Sequence, residues 1–136
     1  MIAVDASAIA ELLLQTPLGM LVERRLYRMD EDMHAPHLID VEILSALRRL
    51  VASGEVGPDR ANDAIADLGL LRIVRHSHVD LLERAWQLRH SLTAYDAMYV
   101  AVAEALDATL VTCDGALSAV SRHSSARIEL ITLARR

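Results

Sequence analysis

One segment constrains the fold of this chain more than any other. Residues 97–103, AMYVAVA, carry no charge and directly follow the acidic residue Asp96. A helix that is apolar on every side is normally buried on every side. Thr93 precedes Asp96 by three residues, which is the spacing of a capping box, and an acid in the first turn also suits the helix dipole. The segment therefore predicts a buried helix with a carboxyl group at its N-terminal mouth.

Strand-like and helical patterns alternate along the chain. Strands are predicted at residues 2–4, 33–35, 70–74, 108–112 and 128–131, and helices at 7–14, 18–29, 37–52, 58–68 and 79–90, with the buried helix and a short helix after Asp114 completing the order. This alternation is typical of a parallel sheet covered on both faces. We therefore expect one α/β domain over residues 1–136, a three-layer α/β/α fold with a central, mainly parallel sheet. Ligands bind such sheets beyond the carboxyl ends of the strands, where the strand order reverses.

Composition narrows the class of protein. The chain has 136 residues, of which 53% are hydrophobic, and a formal charge of −5, with Arg as its only basic residue type besides His. The acidic balance argues against a general nucleic-acid coat protein, although an enzyme could still hold RNA through Arg and a metal ion. Cys113 is the only cysteine, and neither a signal peptide nor a membrane-spanning run is recognisable. These features predict a soluble protein of the cytoplasm.

Two acidic residues come directly after predicted strands. Asp5 follows the strand at 2–4, and Asp114 lies just beyond the strand at 108–112. Parallel strands end at one edge of a sheet, so both carboxyl groups are expected there. Each has a purely structural alternative, because Asp5 could cap the helix that begins near Ser7 and Asp114 could cap a helix or form a turn.

The helix predicted at 37–52 offers two further acids. Its apolar face consists of Ile39, Ile43, Ala46, Leu47 and Leu50. Glu42 lies at the border of that face, where an acid is usually a solvated charge. Asp40, in the first turn, is a competing candidate and suits the helix dipole. Periodicity leaves the choice between them open.

Four stretches resemble a known family when they are taken together. They are IAVDASA at 2–8, APHLIDVEILSALRR at 35–49, LTAYDA at 92–97 and LVTCD at 110–114. Their order and spacing resemble those of the PIN-domain ribonucleases, most closely the VapC toxins of bacterial toxin–antitoxin pairs. The resemblance implies that the catalytic and metal-binding acids are Asp5, Glu42, Asp96 and Asp114, and that the supporting hydroxyls are Ser7 and Thr112. It selects Glu42 over Asp40. Many relatives carry a further acid shortly after the fourth, but residues 115–117 offer none, which leaves a second metal site less well supplied.

The resemblance also implies an activity and partners. Proteins of this family are Mg²⁺-dependent endoribonucleases that stop translation and growth by cutting RNA. A small cognate antitoxin neutralises them, typically with a C-terminal segment at the acidic cleft, and family members commonly form homodimers. We therefore expect RNA as substrate, an antitoxin and a second copy of the chain as partners, and no membrane.

Electrostatics agrees with a metal site. Two unit charges at contact distance repel by about 4 kcal/mol at an effective dielectric of 20, and total stability is only about 5–15 kcal/mol. Four carboxylates in one cleft therefore require either protonation or a hard cation. Ligation by oxygen alone suits Mg²⁺, with Mn²⁺ as the alternative.

Two other functions fit parts of the pattern. An aspartyl phosphoryl-transfer domain also uses strand-end acids, but a phosphatase of that kind would carry an Asp where this chain has Ser7, and a receiver domain would need a Lys that the chain lacks. A catalytically degenerate PIN-like domain kept for protein binding would not need all four acids. Cys113 as a nucleophile and the short-spaced histidines as zinc ligands are disfavoured, because no partner groups accompany them. Trp86 is expected in the core or an interface, and Tyr95 and Tyr99 are expected to pack around the buried helix.

Overall fold

A computed structural model describes residues 1–122 and 124–134. Its strands are β1 (Ile2–Val4), β2 (Met33–Pro36), β3 (Ile73–His76), β4 (Thr109–Thr112) and β5 (Ile128–Leu130). Its α-helices are α1 (Ala6–Leu14), α2 (Pro17–Tyr27), α3 (Leu38–Ala52), α4 (Pro58–Leu70), α5 (Leu82–Gln87), α6 (Ala94–Leu106) and α7 (Gly115–Ser118). Single 3₁₀ turns at Val79–Leu81 and Ala119–Arg122 precede α5 and follow α7.

The five strands form one sheet in the order β3-β2-β1-β4-β5. Every neighbouring pair is parallel. The chain moves outward from β1 to β3, returns across the sheet, and then moves outward on the other side, so the strand order reverses between β1 and β4. Val4 pairs with Val111 at this junction, which brings the carboxyl ends of both strands level.

Helices cover the sheet in two groups. Helix α1 packs against α2, α3 and α4, whereas α5 packs against α6, which lies over β1, β2 and β4. Right-handed crossovers that run in opposite directions along a sheet place their helices on opposite faces. The molecule is therefore a three-layer α/β/α structure, as the sequence pattern predicts.

Helix α6 is the buried helix that the sequence predicts. All seven residues of the 97–103 segment are buried, and Tyr99 is only 2% exposed. Since α6 is held from all sides, its first turn has a fixed position at the sheet edge.

Two predicted elements differ from the structure. The third strand is Ile73–His76 rather than 70–74, because α4 continues to Leu70, which is 81% exposed. The helix predicted at 79–90 is a 3₁₀ turn followed by α5, which ends at Gln87. Other boundaries move by one or two residues, as helix and strand ends commonly do.

Across residues 1–122 and 124–134, none of the helices has the length and apolar character that crossing a bilayer requires.

Candidate active site

The predicted acids following β1 and β4 are brought together at the point where the strand order reverses. The Asp5 N–H donates to the Val111 carbonyl oxygen over 3.3 Å, which joins the ends of the two strands. Asp5 is the N-cap of α1 and Asp114 is the N-cap of α7. The capping roles are therefore real, and they hold both carboxyl groups at one edge of the sheet.

Asp5 lies at the centre of a hydrogen-bond network and is only 4% exposed. Its Oδ1 accepts from the Ala8 N–H at 3.0 Å and from the Ser7 hydroxyl at 2.8 Å. Its Oδ2 accepts from the Thr112 hydroxyl. The carboxylate thus uses three of about four acceptor positions within the protein.

Ser7 and Thr112 also fasten the β4–α7 turn to this carboxylate. The Ser7 Oγ accepts from the Cys113 N–H at 3.0 Å, and the Thr112 Oγ1 accepts from the Asp114 N–H at 2.9 Å. Each hydroxyl has one proton, which it gives to Asp5, and each receives one backbone N–H in return. The two predicted supporting hydroxyls therefore fix Asp5 and Asp114 relative to each other.

Asp96 reaches the same edge from α6. Thr93 is the N-cap of this helix, and its Oγ1 accepts from the Asp96 N–H at 3.2 Å. This is the capping half of the predicted capping box. Asp96 thus occupies the first turn of a helix whose remaining turns are buried.

The structure separates the two acids of α3. Asp40 receives two hydrogen bonds of 2.7 Å from the Arg75 guanidinium on β3, so it belongs to a bidentate ion pair. Glu42 instead faces Asp5 and Asp96, whose charges both act on it. Tertiary structure therefore places Glu42, and not Asp40, beside the other candidate acids, a difference that helical periodicity does not contain.

The acids perturb one another electrostatically. Burial raises the pKa of the Glu42 carboxyl, and the charges of Asp96 and Asp5 raise it further. Burial likewise raises the pKa of Asp96, to which the Asp114 charge adds. Burial also raises the pKa of Asp5 against the hydrogen bonds from Thr112, Ala8 and Ser7, which lower it. Each of these three groups is thus ionised at a cost.

Glu42 carries the clearest sign of an unmet interaction. Within the described ranges its Oε1 is buried and accepts no hydrogen bond, and the nearby Tyr99 hydroxyl is also buried without a partner. The Tyr99 hydroxyl lies close enough to lower the pKa of Glu42 by hydrogen bonding, although the geometry between the two groups falls outside that of a well-formed hydrogen bond. A buried carboxylate oxygen without a donor is suited to a cation.

The donor set fits Mg²⁺ better than zinc. Over residues 1–122 and 124–134, no three His, Cys, Asp or Glu side chains stand close enough to form a ready-made metal cage. Mg²⁺ usually keeps several waters and binds through one or two carboxylates plus substrate phosphates, so it does not need such a cage. Because the candidate donors here are all oxygen atoms, the residues fit a hydrated hard cation.

A cleft of 560 Å³ leads away from these acids between α1 and α3. Ser7, Glu42 and Asp114 line one part of it, and Glu11 and Glu55 add two more carboxylates. Among the residues that the structure describes, Arg49 is the only basic one on its walls. An extended ligand could therefore lie along α3 with one end at the acid cluster.

Cys113 and the histidines have other environments. Burial raises the pKa of the Cys113 thiol to about 12, so the thiol stays protonated at neutral pH and is a poor nucleophile. His34 pairs with His76 across β2 and β3 with an Nδ1–Nε2 distance of 2.8 Å, rather than either histidine joining its sequence neighbour. The short-spaced pattern gave no signal for this pairing, which depends on strand register.

Two aromatic residues are exposed. Trp86 is 67% exposed and stacks under the Arg89 guanidinium at 4.6 Å, so it does not belong to the core, and its predicted alternative, an interface, stays a prediction. Tyr95 is 61% exposed, whereas Tyr99 packs inside as predicted. Trp86 lies on the short helix α5, and Tyr95 lies in the first turn of α6, before the buried part of that helix begins.

A comparison against protein families agrees with this strand order. The PIN domain family matches residues 2–123. The chain therefore belongs to the PIN domain family.

Relatives that match over most of their length identify the family more narrowly. The chain is 43% identical over 118 residues to VapC ribonuclease Mb0985 of Mycobacterium bovis, covering 87% of this chain and 89% of that protein. It is 40% identical over 131 residues to ribonuclease VapC12 of Mycobacterium tuberculosis, covering 96% and 99%. The chain belongs to the VapC family of PIN-domain proteins.

Solved structures share the fold. PAE2754 from Pyrobaculum aerophilum superposes with a TM-score of 0.67 at 26% identity, covering 93% of this chain and 81% of that one. VapC20 of M. tuberculosis, described as a toxin that cleaves the sarcin–ricin loop, superposes with a TM-score of 0.66 at 22% identity, covering 88% and 95%.

Proposed function

We propose that this chain is a Mg²⁺-dependent endoribonuclease, a toxin that cleaves RNA to inhibit translation and growth, acting in the cytoplasm as one PIN-like domain over residues 1–136. The observation that carries the proposal is the electrostatic coupling of four carboxylates from four different elements at one sheet edge. Relatives named as ribonucleases over nearly the whole chain support it.

In this proposal Asp5, Glu42, Asp96 and Asp114 surround a hydrated Mg²⁺ ion and bind it directly or through its waters, with Mn²⁺ able to replace Mg²⁺. When bound, such an ion lowers the pKa of a water molecule and stabilises charge on the scissile phosphate. The protein's own part is positional. Ser7 and Thr112 hold the Asp5 carboxylate through its hydrogen bonds, and the buried helix α6 holds Asp96. Glu42 supplies a carboxylate oxygen that no group in the described chain occupies.

The acidic cleft also suits a protein inhibitor. We propose a small cognate antitoxin with Arg or Lys in a segment that enters the cleft, because a cationic segment complements its carboxylates. Recovery of such a partner with tagged protein from the native host would support this. Repeated isolation of the chain without any small protein would contradict it.

A homodimer is proposed for the surface beside Asp96. A pocket of 390 Å³ there has apolar walls that include Val41, Tyr95 and Met98, with His37 and His78 at its border. Val41 and Tyr95 are both exposed. Light scattering would detect the dimer, and Tyr95→Glu should disrupt it by burying a charge.

The activity test is direct. Purified protein incubated with total RNA and Mg²⁺ should produce discrete new RNA ends, and EDTA or Asp96→Asn should abolish them. Labelling with acetyl phosphate instead of RNA cleavage would indicate an aspartyl phosphoryl-transfer domain. Equal RNA profiles for parent and Asp96→Asn would indicate a binding domain without catalysis.

A further inference from the structure

Arg49 stands out on the walls of the cleft between α1 and α3. Within residues 1–120 and 124–134, the charged side chains lining this cleft are Glu11, Glu42, Glu55, Asp114 and Arg49, so there one cation faces four acids. RNA carries a negative charge at every phosphate. An RNA strand entering this cleft therefore needs positive charge in addition to that of the ion proposed at the acid cluster.

The position of Arg49 follows from helix geometry. It lies seven residues after Glu42, two turns along the same face of α3, which corresponds to about 10.5 Å along the helix axis. Small residues, Ala10 and Ala46, line the cleft between the two ends. The guanidinium reaches back one turn to the Ser45 hydroxyl, and its charge acts on Glu42, so it lies on the cleft wall beside the acid cluster.

Arg49 is not committed to another role within the described ranges. Its guanidinium donates only to the exposed Ser45 hydroxyl, at 3.2 Å, and forms no ion pair with a carboxylate there. By contrast, Arg25, Arg75 and Arg84 each hold a carboxylate at 2.6–2.7 Å. An exposed guanidinium with free donors can bind phosphate oxygens in bidentate fashion.

We propose that Arg49 binds a backbone phosphate of the RNA neighbouring the scissile one and so sets the position of the strand in the cleft. The inference rests on the proposed ribonuclease function. It makes Arg49 a substrate-binding residue that contributes to affinity and positioning and takes no part in proton transfer.

The chain provides a matched control one residue away. Arg48 is also exposed on α3, but it lines a different pocket, between α3 and α4, with Leu44 and Ile65. Arg48→Gln and Arg49→Gln therefore remove the same charge from the same helix, and only one of them removes it from the cleft.

RNA ends produced by the parent first define a cut site, and a fluorescent oligoribonucleotide spanning it is the probe. Binding is measured by fluorescence anisotropy at several KCl concentrations, with the substitutions made in the Asp96→Asn variant, which is expected not to cut the probe. Arg49→Gln should weaken binding about tenfold. It should also reduce the slope of log affinity against log salt by about 0.7, the value for one phosphate contact on a single strand. Arg48→Gln should change neither, and Arg49→Lys should restore the slope.

The possible failures differ from one another. Equal affinity and slope for the Arg48 and Arg49 variants, with the parent still cutting RNA, would overturn the inference alone. Slower cleavage by Arg49→Gln with unchanged RNA affinity would overturn it too, since Arg49 would then act only through the charge of Glu42. If the parent cuts no RNA, the ribonuclease proposal itself fails and takes this inference with it.

Discussion

Replacing Glu42 with Gln should stabilise the metal-free protein while abolishing activity. The Glu42 Oε1 is buried without a partner, and burial and the charges of Asp96 and Asp5 raise the pKa of this carboxyl. Gln keeps the size of the side chain and removes the charge. A buried, unsatisfied polar group costs about 1–3 kcal/mol, and more when charged; Gln leaves a polar atom in place and removes only the extra cost of the charge, so we expect a gain of about 1–2 kcal/mol for this half-buried site.

This gain in the free energy of unfolding corresponds to a measurable rise in melting temperature. Unfolding entropy is about 2.1 cal/mol/K per residue, or about 0.29 kcal/mol/K for this chain, so Tm should rise by about 3–7 °C in EDTA at pH 7.5. Mg²⁺ should reverse the order, because an ion at 100 times its Kd stabilises the parent by about 2.7 kcal/mol and the variant by less.

The assay is thermal unfolding by circular dichroism, with and without Mg²⁺, at fixed ionic strength. Glu23→Gln is the control, because Glu23 is an exposed residue of α2 and its loss of charge should leave Tm nearly unchanged. A lower Tm for Glu42→Gln in EDTA would refute the reasoning, since it would mean that Glu42 is satisfied in the folded protein. An equal Mg²⁺ response of variant and parent would also contradict a shared ion site.

Three further outcomes follow from the same geometry. Asp96→Asn should abolish RNA cleavage in a folded protein. Asp40→Asn should retain cleavage, and its free energy of unfolding should fall by under about 1 kcal/mol because the surface ion pair with Arg75 is lost. An inactive Asp40→Asn variant would mean that Asp40 also belongs to the site. Thr112→Val should lower stability by about 2 kcal/mol in thermal unfolding because the Asp114 N–H and the Asp5 Oδ2 lose a partner, while Thr112→Ser keeps both bonds and should lose clearly less. The advantage of Glu42→Gln should shrink as pH falls from 7.5 toward 4.5, because a raised pKa means that the Glu42 charge disappears through protonation in that window; a constant advantage would argue against a charge effect.

Most of the architecture could be predicted from the sequence because local patterns of apolar and polar residues determine where strands and helices form. Short apolar runs that end in an acid marked β1 and β4, and a segment without charge marked α6. The third strand was misplaced because Leu70 and Leu71 continue the apolar pattern, whereas the strand itself ends in Arg75 and His76 at the sheet edge. An edge strand can carry polar residues, which hides it from a hydrophobicity pattern.

The site depended on long-range contacts that periodicity does not contain. In the sequence, only the family resemblance distinguishes Glu42 from Asp40. In the structure Asp40 forms an ion pair with Arg75 on β3, 35 residues further along the chain. The pairing of His34 with His76 likewise depends on how β2 and β3 are aligned. The roles of the four acids in catalysis stay predictions until the variants are assayed.

The contact between Asp5 and Thr112 spans 107 residues of sequence. During synthesis β1 is therefore made long before β4, the strand that completes its other side. A nascent chain thus carries the first acid of its candidate site without the last, and a product truncated before β4 can never assemble it. If the proposed nuclease activity depends on all four acids, the chain can cut no RNA near its own ribosome until β4 has been made and has joined β1.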